Sequence, residues 1–176
     1  MKMEIVLCGV GGQGLISTGE IIGEAASIHE GKMATLSSAY GTEARGTFTK
    51  SDVILSDRII SYPNVEIPDV ILCLAQVAYD RYADVFTDQT LVYYDEDSVT
   101  PAPGAKGKHR GYPFGKMSIG IGSALVANTI ALGVMIGQTD MLGRDSVAAV
   151  IEERFAGNQK VIQMNIAALD AGLALK

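Results

Sequence analysis

Two short segments hold the residues best suited to chemistry. Gly9-Val10-Gly11-Gly12-Gln13-Gly14 follows the apolar run 3–8 (MEIVLC), and Tyr40-Gly41-Thr42-Glu43-Ala44-Arg45-Gly46 comes further along the chain. A glycine turn between a strand and a helix can aim backbone N–H groups outward. Glycine accepts positive φ and has no Cβ to hold an approaching anion away. Gly9, Gly11 and Gly14 match the dinucleotide spacing G-x-G-x-x-G. Such a site also wants an acid about 20 residues on, at the end of the next strand, to hold the ribose hydroxyls. Here Ser37-Ser38-Ala39 stands in that place, and Glu43 lies beyond it. An NAD site is therefore disfavoured. A phosphate cradle and simple close packing of helix on strand stand level ahead of it. Gln13 carries an amide that donates and accepts, as a polar interface or substrate contact would require. In the second segment, Glu43 and Arg45 either form an ion pair that fixes the loop, or Arg45 presents its fork to a carboxylate or phosphate.

The elements that must position these segments follow from periodicity. Apolar runs predict strands at 3–9, 33–38, 49–56 (with 59–60 as a strand or hairpin), 70–75 and 91–94. Helical spacing predicts helices over 14–30, 76–86, 118–137, 145–156 and 159–174, with loops at 39–47 and 95–113. This order predicts an α/β fold: an open, mostly parallel sheet with a Rossmann-like start, flanked by helices, and a helical C-terminal region. One domain is expected over 1–176. Both glycine-bearing segments then fall on the carboxyl edge of the sheet.

Composition narrows the function classes. Hydrophobic residues make up 48% of the 176 and charged residues 19%, which argues against disorder. A net charge of −6 argues against nucleic-acid binding. The stretch 119–137 (IGIGSALVANTIALGVMIG) carries no charge and is long enough to span a membrane. Ser123, Asn128 and Thr129 dilute it, and no Lys/Arg cluster or aromatic belt anchors it, so a helix buried on nearly all sides is expected. No secretion signal is read at the N-terminus. Cys8 and Cys73 are expected as separate, buried, reduced thiols of a cytoplasmic protein. His29 reads as a helix-end residue. Asn128 and Asn165 interrupt apolar helices, where each can tie a neighbouring loop backbone.

GxGGQG after the first strand, then YGxExRG, resembles the gamma subunits of 2-oxoacid:ferredoxin oxidoreductases. The likeness continues through Val53-Ile54-Leu55-Ser56-Asp57, Tyr62-Pro63, Pro68-Asp69-Val70-Ile71-Leu72, Ala75-Gln76, Ala78-Tyr79-Asp80-Arg81-Tyr82 and Leu91-Val92-Tyr93-Tyr94-Asp95, and into the C-terminal helices. The middle region is most similar to the 2-oxoglutarate (KorC-type) branch. The resemblance implies a reaction in which a 2-oxoacid, coenzyme A and oxidised ferredoxin give acyl-CoA, carbon dioxide and reduced ferredoxin. It implies thiamine diphosphate, Mg2+ and a [4Fe–4S] cluster in the complex, none of them expected on this chain alone. Two distant cysteines cannot supply four thiolates. The implied partners are alpha and beta subunits, a ferredoxin-like delta subunit in some arrangements, and ferredoxin itself. Nucleic acid and membrane are not expected as partners, and the isolated chain is open to self-association. Gly9, Gly11, Gly12, Gln13, Gly14, Tyr40, Glu43, Arg45 and Gly46 are the residues expected to face a partner or the substrate and CoA side. Lys106-Gly107-Lys108-His109-Arg110 reads first as a solvated loop, and second as a contact for a CoA phosphate or an acidic partner. The alternatives are an NAD(P)-binding enzyme, a stand-alone nucleotide-binding module, and a subunit of an indolepyruvate oxidoreductase.

Overall fold

The computed structural model describes residues 1–40 and 47–175. Six strands form one sheet: β1 (Lys2–Val10), β2 (Met33–Tyr40), β3 (Phe48–Ser56), β4 (Val70–Cys73), β5 (Leu91–Asp95) and β6 (Lys108–Tyr112). Their spatial order is β2-β3-β1-β4-β5-β6. β1, β4, β5 and β6 run parallel, while β3 runs antiparallel to both β1 and β2. The cause is connection length. Only residues 41–47 separate β2 from β3, and a parallel crossover needs a dozen or more.

Helices cover both faces, which is why β1 and β4 read as continuous apolar runs. Ile5, Leu7, Val53, Leu55, Val70 and Leu72 point to one side. There they meet α1 (Leu15–Glu24, continued by a π-helical turn at Ala25–His29), α4 (Ala127–Thr139), α5 (Arg144–Arg154) and α6 (Gln159–Leu173). Val6, Cys8, Ile71, Cys73 and Val92 point to the other side, under α2 (Gln76–Tyr82) and its Ala78 and Tyr79. Cys8 and Cys73 are not apart: they are an in-register pair on β1 and β4 with sulfurs 3.5 Å from one another. Burial, and then the contact with Cys73, push the Cys8 thiol well above its usual range.

Several boundaries differ from the sequence expectation. β2 runs on through Tyr40, and residues 59–60 belong to no strand. β6 occupies part of the expected loop 95–113, so Lys108-His109-Arg110 lies on an edge strand. Lys108 Nζ donates to Gln89 Oε1 at 2.9 Å, and Arg110 donates to Gln138. His109 turns inward, 2.9 Å from the Tyr79 hydroxyl and between the rings of Tyr79, Phe86 and Tyr94. The expected helix 118–137 is two helices. α3 (Phe114–Ile121) ends at Gly122, whose φ of 126° leaves the helical region, and a 3-10 turn at Ala124–Val126 leads into α4.

The long uncharged stretch is explained by α4. Its residues from Asn128 to Ile136 are all buried, between the sheet and α6. No helix among the described residues is long and apolar enough to cross a membrane. α4 and α6 meet backbone to backbone at Gly133 and Gly172. A Cβ on Gly172 would lie 2.1 Å from the Ile130 carbonyl oxygen and 2.9 Å from Gly133 Cα.

At the opposite, amino edge, Glu4 fastens the long β3–β4 connection to β1. Its carboxylate accepts from the N–H groups of Glu66 and Ile67 at 2.9 and 3.2 Å and from the Lys2 ammonium. Burial opposes ionisation, but these donors outweigh it and hold Glu4 below the usual carboxylate range.

Two predictions follow from this packing. Gly172→Ala should lower the urea midpoint by about 2–3 kcal/mol equivalent with an unchanged m-value, because helix backbone must move to admit the methyl. For Glu4, the lowered folded pKa means that its stabilisation is complete above the unfolded value of about 4.3 and is lost as pH falls through the folded one. Glu4→Gln should therefore flatten the acid limb of a stability-against-pH curve and leave its shape unchanged above pH 6.

Candidate functional site

The carboxyl rim gathers the ends of β1, β4, β5 and β6 and the start of β3. From β1 the chain first turns aside to β2 and β3, then returns to lay β4 on the opposite flank of β1. Open α/β sheets form a crevice at such a reversal, because the loops after the two strands diverge to opposite faces. The glycine turn 11–14 stands at this crevice. A cleft of about 330 Å³ beside it is lined by Gly12, Gln13, Leu74, Asp95, Gly115 and Leu125, among others. A groove of about 370 Å³ on the other flank runs from Val10 and Gly11 to Ser17 and Thr49.

The turn is held by side chains of the protein itself. Gln13 Oε1 accepts from the Val10 N–H at 2.8 Å, and Gln13 Nε2 donates to the Leu74 carbonyl at 2.8 Å. One amide thus joins the end of β1 to the residue after β4. The Gly11 N–H donates to the Thr47 carbonyl at 3.0 Å, which ties the turn to the base of the β2–β3 connection. The Gln13 N–H returns to the Val10 carbonyl at 3.3 Å. Asn128 of α4 reaches the far end, donating to the Gly14 carbonyl at 3.2 Å and to Thr18 Oγ1 at 3.0 Å. Gly14 has φ 73°, and a Cβ there would sit 2.4 Å from Asn128 Nδ2. At Gly9 a Cβ would sit 2.1 Å from Gln13 Oε1. Both glycines therefore make room for the amides that clamp the turn.

This geometry counts against the dinucleotide reading. The N–H groups of Val10, Gly11 and Gln13 are spent on protein acceptors. A dinucleotide cradle would leave such donors facing a pyrophosphate. β3 also intrudes between β1 and β2. That sets the end of β2 two strand spacings, about 10 Å, from β1. No residue ending β2 stands beside β1, where the ribose-binding acid of a dinucleotide site belongs. Glu43, Arg45 and Gly46 lie outside the described residues, as do Gly41 and Thr42. Thr47 and Tyr40 flank that segment on the same rim as Gln13.

Asn128 behaves as expected, tying a loop backbone. Asn165 does something different: it bonds within the helical layer, accepting from Thr129 Oγ1 at 2.8 Å and donating to the Val161 carbonyl at 3.0 Å. Sequence reasoning missed Asp95. It ends β5 in the cleft, where its carboxylate accepts from Ser98 Oγ at 2.7 Å and from the Gly115 N–H in the first turn of α3 at 3.3 Å. An acid closing an apolar strand just before a loop was the available signal. The cleft rim also exposes Leu125, at 77%, close to an exposed Ile119 at 69%. Uncovered apolar side chains beside a crevice suit a docking surface.

Neither of the implied cofactors with demanding ligands fits this donor set. The two cysteines face each other inside the sheet layer, and no group of three or more His, Cys, Asp or Glu residues is gathered among the described residues.

If the clamp is structural, Gln13→Leu should cost about 2 kcal/mol or more, since it leaves the Val10 N–H and Leu74 carbonyl unpaired. Hydrogen exchange should speed up at Val10, whose N–H is the donor of the lost bond, before any change at Ile5 or Ile71. Asn128→Ala should speed exchange at Thr18 and leave Val10 protected.

Comparison with known proteins gives concordant matches. The sequence profile of the family described as "Pyruvate ferredoxin/flavodoxin oxidoreductase" matches residues 4–175. The 2-oxoglutarate synthase subunit KorC of Methanocaldococcus jannaschii is 38% identical over 86% of this chain and 82% of its own length. The ketoisovalerate oxidoreductase subunit VorA of Methanothermobacter thermautotrophicus is 35% identical over 97% of this chain, which spans only 36% of that longer subunit. Among solved structures, the gamma subunit of a keto/oxoacid ferredoxin oxidoreductase from Geobacter sulfurreducens superposes with a TM-score of 0.86. It shares 32% identity, covering 98% of this chain and 95% of that one.

Proposed function

The chain belongs to the pyruvate ferredoxin/flavodoxin oxidoreductase family as a gamma-type subunit, and on that footing we propose that it serves a 2-oxoglutarate:ferredoxin oxidoreductase. In this reading it docks alpha and beta subunits through the carboxyl rim and lines the side of the reaction centre where coenzyme A enters. The complex converts 2-oxoglutarate and coenzyme A to succinyl-CoA and carbon dioxide, with electrons passing to ferredoxin. Thiamine diphosphate and the iron–sulfur cluster supply the decarboxylation and electron transfer from companion chains. The isolated chain is inactive, and the assembly is cytoplasmic.

The observation that carries this reading is the Gly11 N–H to Thr47 carbonyl bond. It ties the glycine turn to Thr47, the residue that follows the second family motif in the sequence. The exposed Leu125 and Ile119 beside the cleft support a protein partner there. The choice of 2-oxoglutarate rests on the likeness to KorC. The similar likeness to VorA makes a branched-chain 2-oxoacid the second reading.

The role of this chain's own residues is positional. The Gln13 and Asn128 clamps fix the turn before any partner arrives, so docking need not order it. Arg45 offers a fork to a carboxylate or phosphate at the assembled face.

The reconstituted complex should reduce a viologen dye only with coenzyme A and 2-oxoglutarate present. Its kcat/KM for 2-oxoglutarate should exceed that for 2-ketoisovalerate by tenfold or more. Arg45→Ala should lower turnover of the complex at least tenfold while the variant chain keeps its melting temperature. Hydride transfer from NAD(P)H by the chain alone would overturn the reading, and a preference for 2-ketoisovalerate would reassign the substrate.

A further inference from the structure

The chain has two cysteines, and the fold sets them side by side. Cys8 and Cys73 are opposite one another on the neighbouring parallel strands β1 and β4. Neighbouring strands lie about 4.7–4.9 Å apart. A disulfide bridges Cα atoms roughly 4.4–6.8 Å apart, so the backbone spacing admits a bond. The sulfurs stand 3.5 Å apart, and the Cys8 thiol donates to the Leu72 carbonyl at 3.3 Å. Both are fully buried, in a cluster with Val6, Ile71 and Val92. On the same face Lys50 stands opposite Cys8 on β3 and pairs with Asp52. The second Asp52 oxygen is buried without a hydrogen-bond partner among the described residues. Lys50 favours the Cys8 thiolate, but burial, the neighbouring Cys73 and Asp52 oppose it, so the resting thiol is protonated. The cover over the pair is α2, only seven residues long, which starts at Ala75 and so has no capping side chain. Tyr82, its last residue, is half-buried against the cluster. A helix this short does not hold its form without packing. It can lift from the cluster while the sheet beneath stays paired.

We propose that Cys8 and Cys73 are a reversible dithiol–disulfide couple, closed by a small uncharged hydroperoxide, which locks the β1–β4 seam beneath the Gln13 clamp. One sulfur, as its thiolate, attacks a peroxide oxygen. The O–O bond breaks, the released alkoxide or hydroxide takes up a proton, and the sulfur becomes a sulfenic acid. The second sulfur attacks the first, the S–S bond forms, the S–O bond breaks and water leaves. Two electrons pass from the sulfurs to the peroxide, and the two thiol protons leave in the alcohol and water formed. A dithiol reverses the change, becoming a disulfide itself while both cysteines regain their protons. Burial selects the oxidant. A charged, bulky disulfide would need a third sulfur brought in line with the pair, whereas a peroxide enters through a small opening. The sheet holds the second sulfur in contact with the first, so the sulfenic acid is captured before it oxidises further. Transient, redox-sensing disulfides are also the kind found in reducing compartments. The consequence falls on the rim. The Leu74 N–H donates to the Cys8 carbonyl at 3.0 Å, and the Leu74 carbonyl accepts from Gln13. A bond between residues 8 and 73 therefore fixes the two strands just before the clamp. The proposal is independent of the substrate and of any partner subunit.

Stepwise exposure of the reduced full chain to hydrogen peroxide tests it. Met33, exposed at 50%, reports the dose as its sulfoxide. Both thiols should be lost together. A digest made without reductant should contain one linked pair of peptides joining Cys8 to Cys73, lighter by two hydrogens than its separate parts. Dithiothreitol should return both thiols. The oxidised chain should melt at a higher temperature, because the bond closes a long loop in the unfolded chain. Exchange of the Leu74 N–H should slow about tenfold or more, because it then needs the locked seam to open. Cys8→Ala and Cys73→Ala, treated alike, should show neither the linked peptides nor the rise in melting temperature. Two intact thiols after Met33 is fully converted, sulfinic acid at either cysteine in place of the linked peptides, or a bond between two chains would each overturn the proposal. So would a disulfide that forms and leaves both the melting temperature and the Leu74 exchange unchanged.

Discussion

One side-chain amide satisfies two strand ends, and the carboxyl rim depends on it. Where parallel strands stop, the last N–H and C=O groups lose their ladder partners while still half-buried, and each must be paired again. Gln13 pairs the Val10 N–H and the Leu74 carbonyl together. The β1–β4 seam is thereby closed at the point where the fold would otherwise open. Glycine at 9 follows from this, because any side chain there would occupy the place of the Gln13 oxygen. Glycine at 14 follows from the second clamp, through Asn128. The G-x-G-x-x-G spacing is thus satisfied by side chains of the same protein, in a geometry that a dinucleotide site would need kept open.

Much of the fold was legible because both of its periodicities are strong. The unbroken apolar runs of β1 and β4 required cover on two faces, and the helical spacing over 14–30 and 76–86 supplied an element for each. The antiparallel insertion of β3 was written in the short gap between Tyr40 and Phe48, though pattern alone does not say where a hairpin lodges in a sheet. β6 was hidden for a different reason. Lys108-His109-Arg110-Gly111-Tyr112 has none of the β-branched residues that mark a strand. It is a strand because it pairs with β5, and because His109 finds an aromatic pocket made by Tyr79, Phe86 and Tyr94. No local property of the segment announces those contacts.

The site was legible in its residues and not in its bonds. Gly11, Gly12 and Gln13 stand on the predicted rim, and the base of the second motif lies beside them. The partners of Gln13 and Gly14, namely Leu74 and Asn128, are 61 and 114 residues away in sequence. No spacing rule reaches that far. The same holds for Cys8 and Cys73, which look separate along the chain and touch because β1 and β4 are neighbours in register. The break in the helix 118–137 was written at Gly122 and Ser123. It was masked by apolar periodicity that runs through the break without a change of character.

A rim so completely self-bonded constrains what it can offer a partner. Its turn has spent the N–H groups of Val10, Gly11 and Gln13, and Asp95 has spent its carboxylate on Ser98 and the start of α3. Among the described residues it has left to present shape, the apolar side chains at 119 and 125, and the N–H groups that open α1, which no side chain caps. Apolar contact gives affinity without direction, whereas charged and hydrogen-bonding groups fix register. In a surface of this kind specificity must concentrate in the few polar groups not committed elsewhere. A turn already fixed by its own bonds need not be ordered when a partner docks, so apolar contact at this rim is not offset by an ordering cost.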